Sequence, residues 1–165
     1  CNDVNLELDT AQYTPLPDWF TPVSHQELDS EYNLLAFSYR DILHTNNTTF
    51  QNPLIDEVSA RSPYTFTITL NTELARERGI KDGDAIWIEN KHGGKEKGVV
   101  KTMEGQHPGV LGIAGQGGLW AKDRPIAKGK GSNFCKILPS NFKHYDPVTG
   151  NIETSVAVKI YKAEE

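Results

Sequence analysis

With 165 residues and a net charge of −5, the chain is sized for one domain plus a tail. Its 37% hydrophobic and 24% charged content is that of an ordinary globular protein, and no apolar run approaches the about 18 residues of a spanning helix, which argues against direct membrane insertion. The charge is uneven: residues 1–39 hold seven acids and no Lys or Arg, whereas residues 122–136 hold five basic side chains and one acid. That pattern argues against nucleic-acid binding and allows one local anion site. Cys1 and Cys135 form no CxxC pair and no zinc or iron–sulfur spacing, so no metal site is expected, and Cys135 reads as a small half-buried hydrophobe.

Residues 1–31 lack periodicity. Prolines at 15, 17 and 22 keep the backbone extended, and Trp19, Phe20 and Leu28 are apolar enough to dock elsewhere. This segment reads as an extended acidic arm, expected to be mobile in isolation, ahead of a domain over 32–165. The start at Cys1, in polar sequence, suggests a fragment, with proteolytic maturation as the alternative; the compartment is not readable.

The globular pattern begins with an apolar strand at 33–38, then a polar stretch over 39–52. Pro53 opens a short helical turn. Thr65-Phe66-Thr67-Ile68-Thr69-Leu70 alternates as a half-buried strand. Asn71 caps a helix of about two turns, with Glu73 in its first turn, Arg78 in its last and Gly79 as a left-handed end. After the Asp82-Gly83 turn come a strand at 85–89, a hairpin turn at 91–94 and a returning strand at 98–103. Strands at 109–114 and 155–161 follow, separated first by a Gly- and Lys-rich loop over 115–132. Six or seven strands with one or two short helices and many Gly turns predict a mainly β closed barrel.

Five ordered stretches carry a resemblance. His44-Thr45-Asn46-Asn47-Thr48-Thr49-Phe50-Gln51-Asn52-Pro53-Leu54 follows the first strand. The stretch from Leu70 to Asn90 is a strand, a capped helix, an Asp-Gly turn and a strand. His107-Pro108-Gly109-Val110-Leu111 enters another strand. Ser132-Asn133-Phe134 and Asp146-Pro147-Val148-Thr149-Gly150 come last. Together they resemble the C-terminal molybdopterin-dinucleotide-binding domain of the dimethyl-sulfoxide-reductase family of molybdenum or tungsten oxidoreductases, over roughly residues 33–162. Asn90 and His92 depart from the family's Ser and Arg, and Lys136-Ile137 interrupts its Leu-Thr.

The resemblance implies a double-psi β-barrel that binds molybdopterin guanine dinucleotide, with the metal and any iron–sulfur cluster held elsewhere in a larger protein. It implies no catalysis by the domain alone. The implied partners are the parent's remaining domains and an iron–sulfur electron-transfer subunit. Hydroxyls and amides suit a pyrophosphate and ring edges, so Arg40, His44, Thr45, Asn46, Asn47, Thr48 and Thr49 are candidate contacts, His44 as a donor to an oxyanion. Gln116 and Gly117 follow a strand and bring backbone amides close. Lys128 or Lys130 balances oxyanion charge, and Lys130, Ser132 and Asn133 complete the set, Asn133 on a ring edge. Trp120 stacks on a ring, packs on the parent, or is merely exposed. Two other readings stay open: a stand-alone double-psi barrel that recruits protein partners, and a barrel that self-processes at Gly131-Ser132, which lies late in the chain for that role.

Overall fold

The computed structural model describes residues 15–16, 18–44, 46–115, 117–146 and 148–164. In chain order these form α1 (Val23–Gln26), β1 (Leu34–Tyr39), α2 (Pro53–Ser59), β2 (Thr67–Asn71), α3 (Thr72–Glu77), β3 (Ala85–Asn90), β4 (Lys95–Met103), β5 (Val110–Ala114) and β6 (Ser155–Lys162), with 3-10 turns at Phe134–Ile137 and Phe142–His144. No helix among them is long and apolar enough to cross a membrane.

The six strands close into a barrel in the order β1-β5-β2-β4-β3-β6. The β1–β5 and β2–β4 pairs are parallel and the other four are antiparallel. The expected mainly β, double-psi barrel is therefore the observed architecture. Alternation drives it: β3 buries Ile86, Ile88 and Asn90 and turns Ala85, Trp87 and Glu89 outward. Ile68, Leu70, Ile86, Ile88, Val100, Leu111, Ile113, Val156 and Val158 meet in the centre, each at most 1% exposed. Each such side chain contributes roughly 1.5–3 kcal/mol relative to an exposed position. β5 is buried on both faces from Leu111 to Ala114, because Tyr39 and Thr69 close over Gly112, leaving no room for a Cβ there.

Strand polarity decides where the site forms. Register pairs Phe37 with Ser155, Tyr39 with Ala114, Ile68 with Ile113, and Glu89 with Lys95. The β1–β2 connection, the β3–β4 hairpin and the long β5–β6 connection therefore all emerge at one end. The α3 connection and the β4–β5 turn lie at the other. At that far end Asn71 caps α3, its Oδ1 accepting from the amides of Glu73 and Leu74 while its Nδ2 donates to Gln106 O at 2.7 Å.

Three expectations need correction. β2 starts at Thr67, because Thr65 is drawn into the preceding loop by a bond to Asp41 (2.9 Å). Cys135 is exposed, since its place in a 3-10 turn leaves Phe134 and Ile137 to face the core. Of the acidic arm, residues 1–14 and 17 lie outside the described residues. The part that is described is not extended throughout: it includes α1, anchored where the Val23 and Ser24 amides donate to the Glu153 carboxylate at 2.7 and 3.0 Å.

Candidate functional site

The loop leaving β1 is organised by His44. Its ring is 4% exposed, stacks on Phe50 (centroids 4.0 Å apart, planes 17° apart), and lies 2.9 Å from both Thr49 Oγ1 through Nδ1 and Ser59 Oγ through Nε2. Burial holds its pKa below the ordinary value, so a neutral ring with one donor and one acceptor nitrogen suits the two hydroxyls. Expected as a donor to a ligand, His44 instead spends both nitrogens inside the loop, tying its start to the end of α2. Asp41 adds a second tie, accepting from Leu43 N and from Thr65 Oγ1. What these bonds present outward is Arg40, Asn46, Asn47 and Thr48, all exposed. Asn46 holds a left-handed backbone (φ 50°), which an Asn tolerates better than most residues. Thr45 lies outside the described residues.

The β5–β6 connection packs against this loop from the other side. Arg124 donates to Asn47 O at 3.1 Å, Ile126 N reaches Gln51 Oε1 at 3.4 Å, and Lys130 pairs with Asp56 of α2. Within the connection, Gly118 N donates to Lys130 O at 2.7 Å, and a Cβ on Gly117 would stand 2.9 Å from Gly131 Cα. The segments around 117–118 and 131–133 thus touch backbone to backbone, which glycine alone permits. Gln116 lies outside the described residues.

Ser132, Asn133 and Lys130 take building roles. Ser132 Oγ donates to Lys97 O at 3.1 Å across the space Gly98 leaves open. Asn133 Oδ1 caps the 3-10 turn through Cys135 N, while its own amide donates to buried Glu96 at 3.0 Å. Lys130 pairs with Asp56 of α2, both side chains partly exposed. Asn90, one of the departures from the family pattern, secures the hairpin: Oδ1 accepts from His92 N and Gly94 N, and Nδ2 donates to Ile137 O at 2.6 Å.

A polar cleft of about 380 Å³ opens where the two connections leave β1 and β5, lined by Ser38, Arg40, Asn46, Asn47, Gly115 and Thr154. Arg40 makes no ion pair among the described residues, leaving an exposed guanidinium beside two amides. A second groove of about 550 Å³ runs along the outer face of β4, between Trp87, Lys97 and the exposed Trp120. Of the candidates, Arg40, Asn46 and Asn47 line the cleft directly. His44, Thr49, Gly117, Lys130, Ser132 and Asn133 build the two connections that form it. Thr154 was not anticipated; only the pairing of β1 with β6 puts it there.

The family model described as "Molydopterin dinucleotide binding domain" matches residues 35–155. The chain belongs to this family. The domain is 30% identical over 149 residues to the molybdopterin-containing subunit of thiosulfate reductase from Salmonella typhimurium, covering 90% of this chain and 19% of that protein. It is 27% identical over 168 residues to a sulfite dehydrogenase from Allochromatium vinosum, covering 92% of this chain and 17% of that protein. Acetylene hydratase from Pelobacter acetylenicus shares the fold, with a TM-score of 0.70 and 23% identity over 90% of this chain and 21% of its own. The domain therefore spans about a fifth of the length of these relatives. The chemistry of its cleft, a guanidinium without an ion pair among the described residues beside exposed amides, suits oxyanions and ring edges.

Proposed function

We propose that the cleft at the β1–β5 end receives the pyrophosphate and guanine end of molybdopterin guanine dinucleotide, as the C-terminal domain of a larger molybdenum or tungsten oxidoreductase. The observation that carries this reading is Arg40, exposed and without an ion-pair partner among the described residues, beside Asn46, Asn47 and Gly115 on a loop braced by buried His44. Arg40 neutralises a phosphate oxygen, the amides of Asn46 and Asn47 donate to the remaining oxyanions, and the purine edge extends toward Asn133 past the Gly117–Gly131 contact. The cofactor supplies the metal and its redox chemistry; this domain clamps and orients it. Exposed Leu54 and Val58, one turn apart on α2, and exposed Trp120 provide apolar surface for the parent's other domains, while an iron–sulfur protein serves as the electron partner.

Guanosine diphosphate added at millimolar concentration to the isotope-labelled chain tests the clamp. Amide shifts should concentrate at Arg40, Asn46, Asn47, Gly115 and Gly117, with weak affinity because contacts from other domains are missing. Arg40→Gln should weaken binding by roughly tenfold, one charge-assisted hydrogen bond. Shifts confined to the opposite end, around Gly79 and Gln106, or unchanged affinity in Arg40→Gln, would sink the assignment and favour the protein-recruiting reading.

A further inference from the structure

Three side chains that the cofactor cleft does not use converge on one point. Glu27 closes α1, His92 sits in the β3–β4 hairpin turn, and His144 ends the second 3-10 turn. Residues 65 and 52 positions apart in sequence place one ligand atom each within 4.8 Å of one another. His92 Nε2 lies 2.8 Å and His144 Nε2 3.3 Å from the same oxygen, Glu27 Oε1. The two imidazoles meet edge to face with centroids 5.3 Å apart.

His144 is the anomaly. It is 1% exposed, yet neither ring nitrogen makes a hydrogen bond of acceptable geometry among the described residues. A buried polar group without a partner is rare in a folded protein and asks for a missing one. Nδ1 faces Glu153 Oε2 at 3.7 Å, a carboxylate already held by the Val23 and Ser24 amides. An imidazole that presents Nε2 to a metal and turns Nδ1–H to a carboxylate is the usual arrangement around a bound cation.

We propose that Glu27, His92 and His144 bind one divalent transition-metal ion, of which Zn2+ is the best match. Two imidazoles and a carboxylate are ligands of intermediate softness suited to zinc, cobalt or nickel rather than calcium or magnesium. Tetrahedral bonds of about 2.0–2.1 Å set ligand atoms about 3.3 Å apart, close to the His144–Glu27 spacing, while the 2.8 Å hydrogen bond between His92 Nε2 and Glu27 Oε1 opens by about 0.5 Å to admit the ion. Water completes the fourth position, and the partly exposed His92 and Glu27 side chains leave a way in. The ion clips the segment that precedes β1 onto the hairpin and the β5–β6 connection, at the same end of the barrel as the cofactor cleft. α1 already rests there through the 2.8 Å contact between the Ser24 and Ser155 hydroxyls.

The tag-free chain, dialysed against a chelator and titrated calorimetrically with ZnCl2, should bind one equivalent. Co2+ should give the visible absorption of a tetrahedral site. His92→Ala, in an exposed turn, and Glu27→Gln should each weaken Zn2+ by at least 30-fold, while His107→Ala at the far end of the barrel binds as the parent does. Zn2+ should also slow chymotryptic cleavage at exposed Trp19 and Phe20 at least threefold in the parent and not in Glu27→Gln. Absence of a stoichiometric site, or parental affinity in both His92→Ala and Glu27→Gln, overturns the metal site. Binding without protection overturns the clip.

Discussion

Replacing His44 with Phe isolates what this ring does for the β1–β2 loop. Phe keeps the stack on Phe50 and removes both hydrogen bonds, to Thr49 Oγ1 and Ser59 Oγ. Ser59 is fully buried, so its hydroxyl loses its partner where water cannot replace it, at a cost of about 1–3 kcal/mol. Thr49 is half-buried and adds about 0.5–1 kcal/mol. The sum, about 1.5–4 kcal/mol, should lower the urea midpoint by about 0.8–2 M at an m-value near 2 kcal/mol/M. His44→Ala should lose about 1–2 kcal/mol more, because the aromatic pair and its packing go as well. A pH series adds a sign. The folded pKa lies below the ordinary 6.5 because burial disfavours the charged ring. The unfolded chain therefore binds the proton first, so His44's contribution is complete above about pH 6.5 and declines as pH falls through its folded value. His44→Phe should flatten that decline. A midpoint within about 0.2 M of the parent, or an unchanged acid slope, would refute the bracing role.

Two other substitutions probe the walls of the site and the far end of the barrel. Gly118→Ala places a Cβ 2.4 Å from Asn133 N at φ +70°, so it should destabilise by at least about 2 kcal/mol and weaken guanosine diphosphate binding; thermal unfolding and the nucleotide titration check both, and parental values would mean that the two segments do not meet as described. Asn71→Ala removes the α3 cap and a bond to Gln106 O, for about 1–3 kcal/mol by denaturant titration with nucleotide binding unchanged. Lost nucleotide binding there would mean that the two ends of the barrel are coupled.

Much of the barrel was legible in order along the chain. Alternation marked β2, β3 and β6, and Asn71, Gly79 and the Asp82-Gly83 turn marked the short helix and its exit, because each signal spans only a few residues. The polar loop with Arg40, Asn46 and Asn47 was legible as ligand-like from its density of amides and hydroxyls. Residue type alone could not assign roles within it. The partners of His44 were not legible, since one of them, Ser59, arrives from the end of α2. The partner that Lys130 has here, Asp56, was equally invisible, because α2 brings it across the loop.

Sequence by itself determined the strands, the caps, the family resemblance and the chemical character of the site, all properties of local pattern and composition. Tertiary structure alone decided which end carries the cleft, because parallel pairing of β1 with β5 sets both exits side by side. It also decided that Glu27, His92 and His144 share a point, since no spacing rule links residues carried there by a helical turn, a hairpin and a long connection. Barrel closure fixes such meetings: the hydrogen-bond register orients every loop at once, and that register is a property of all six strands together.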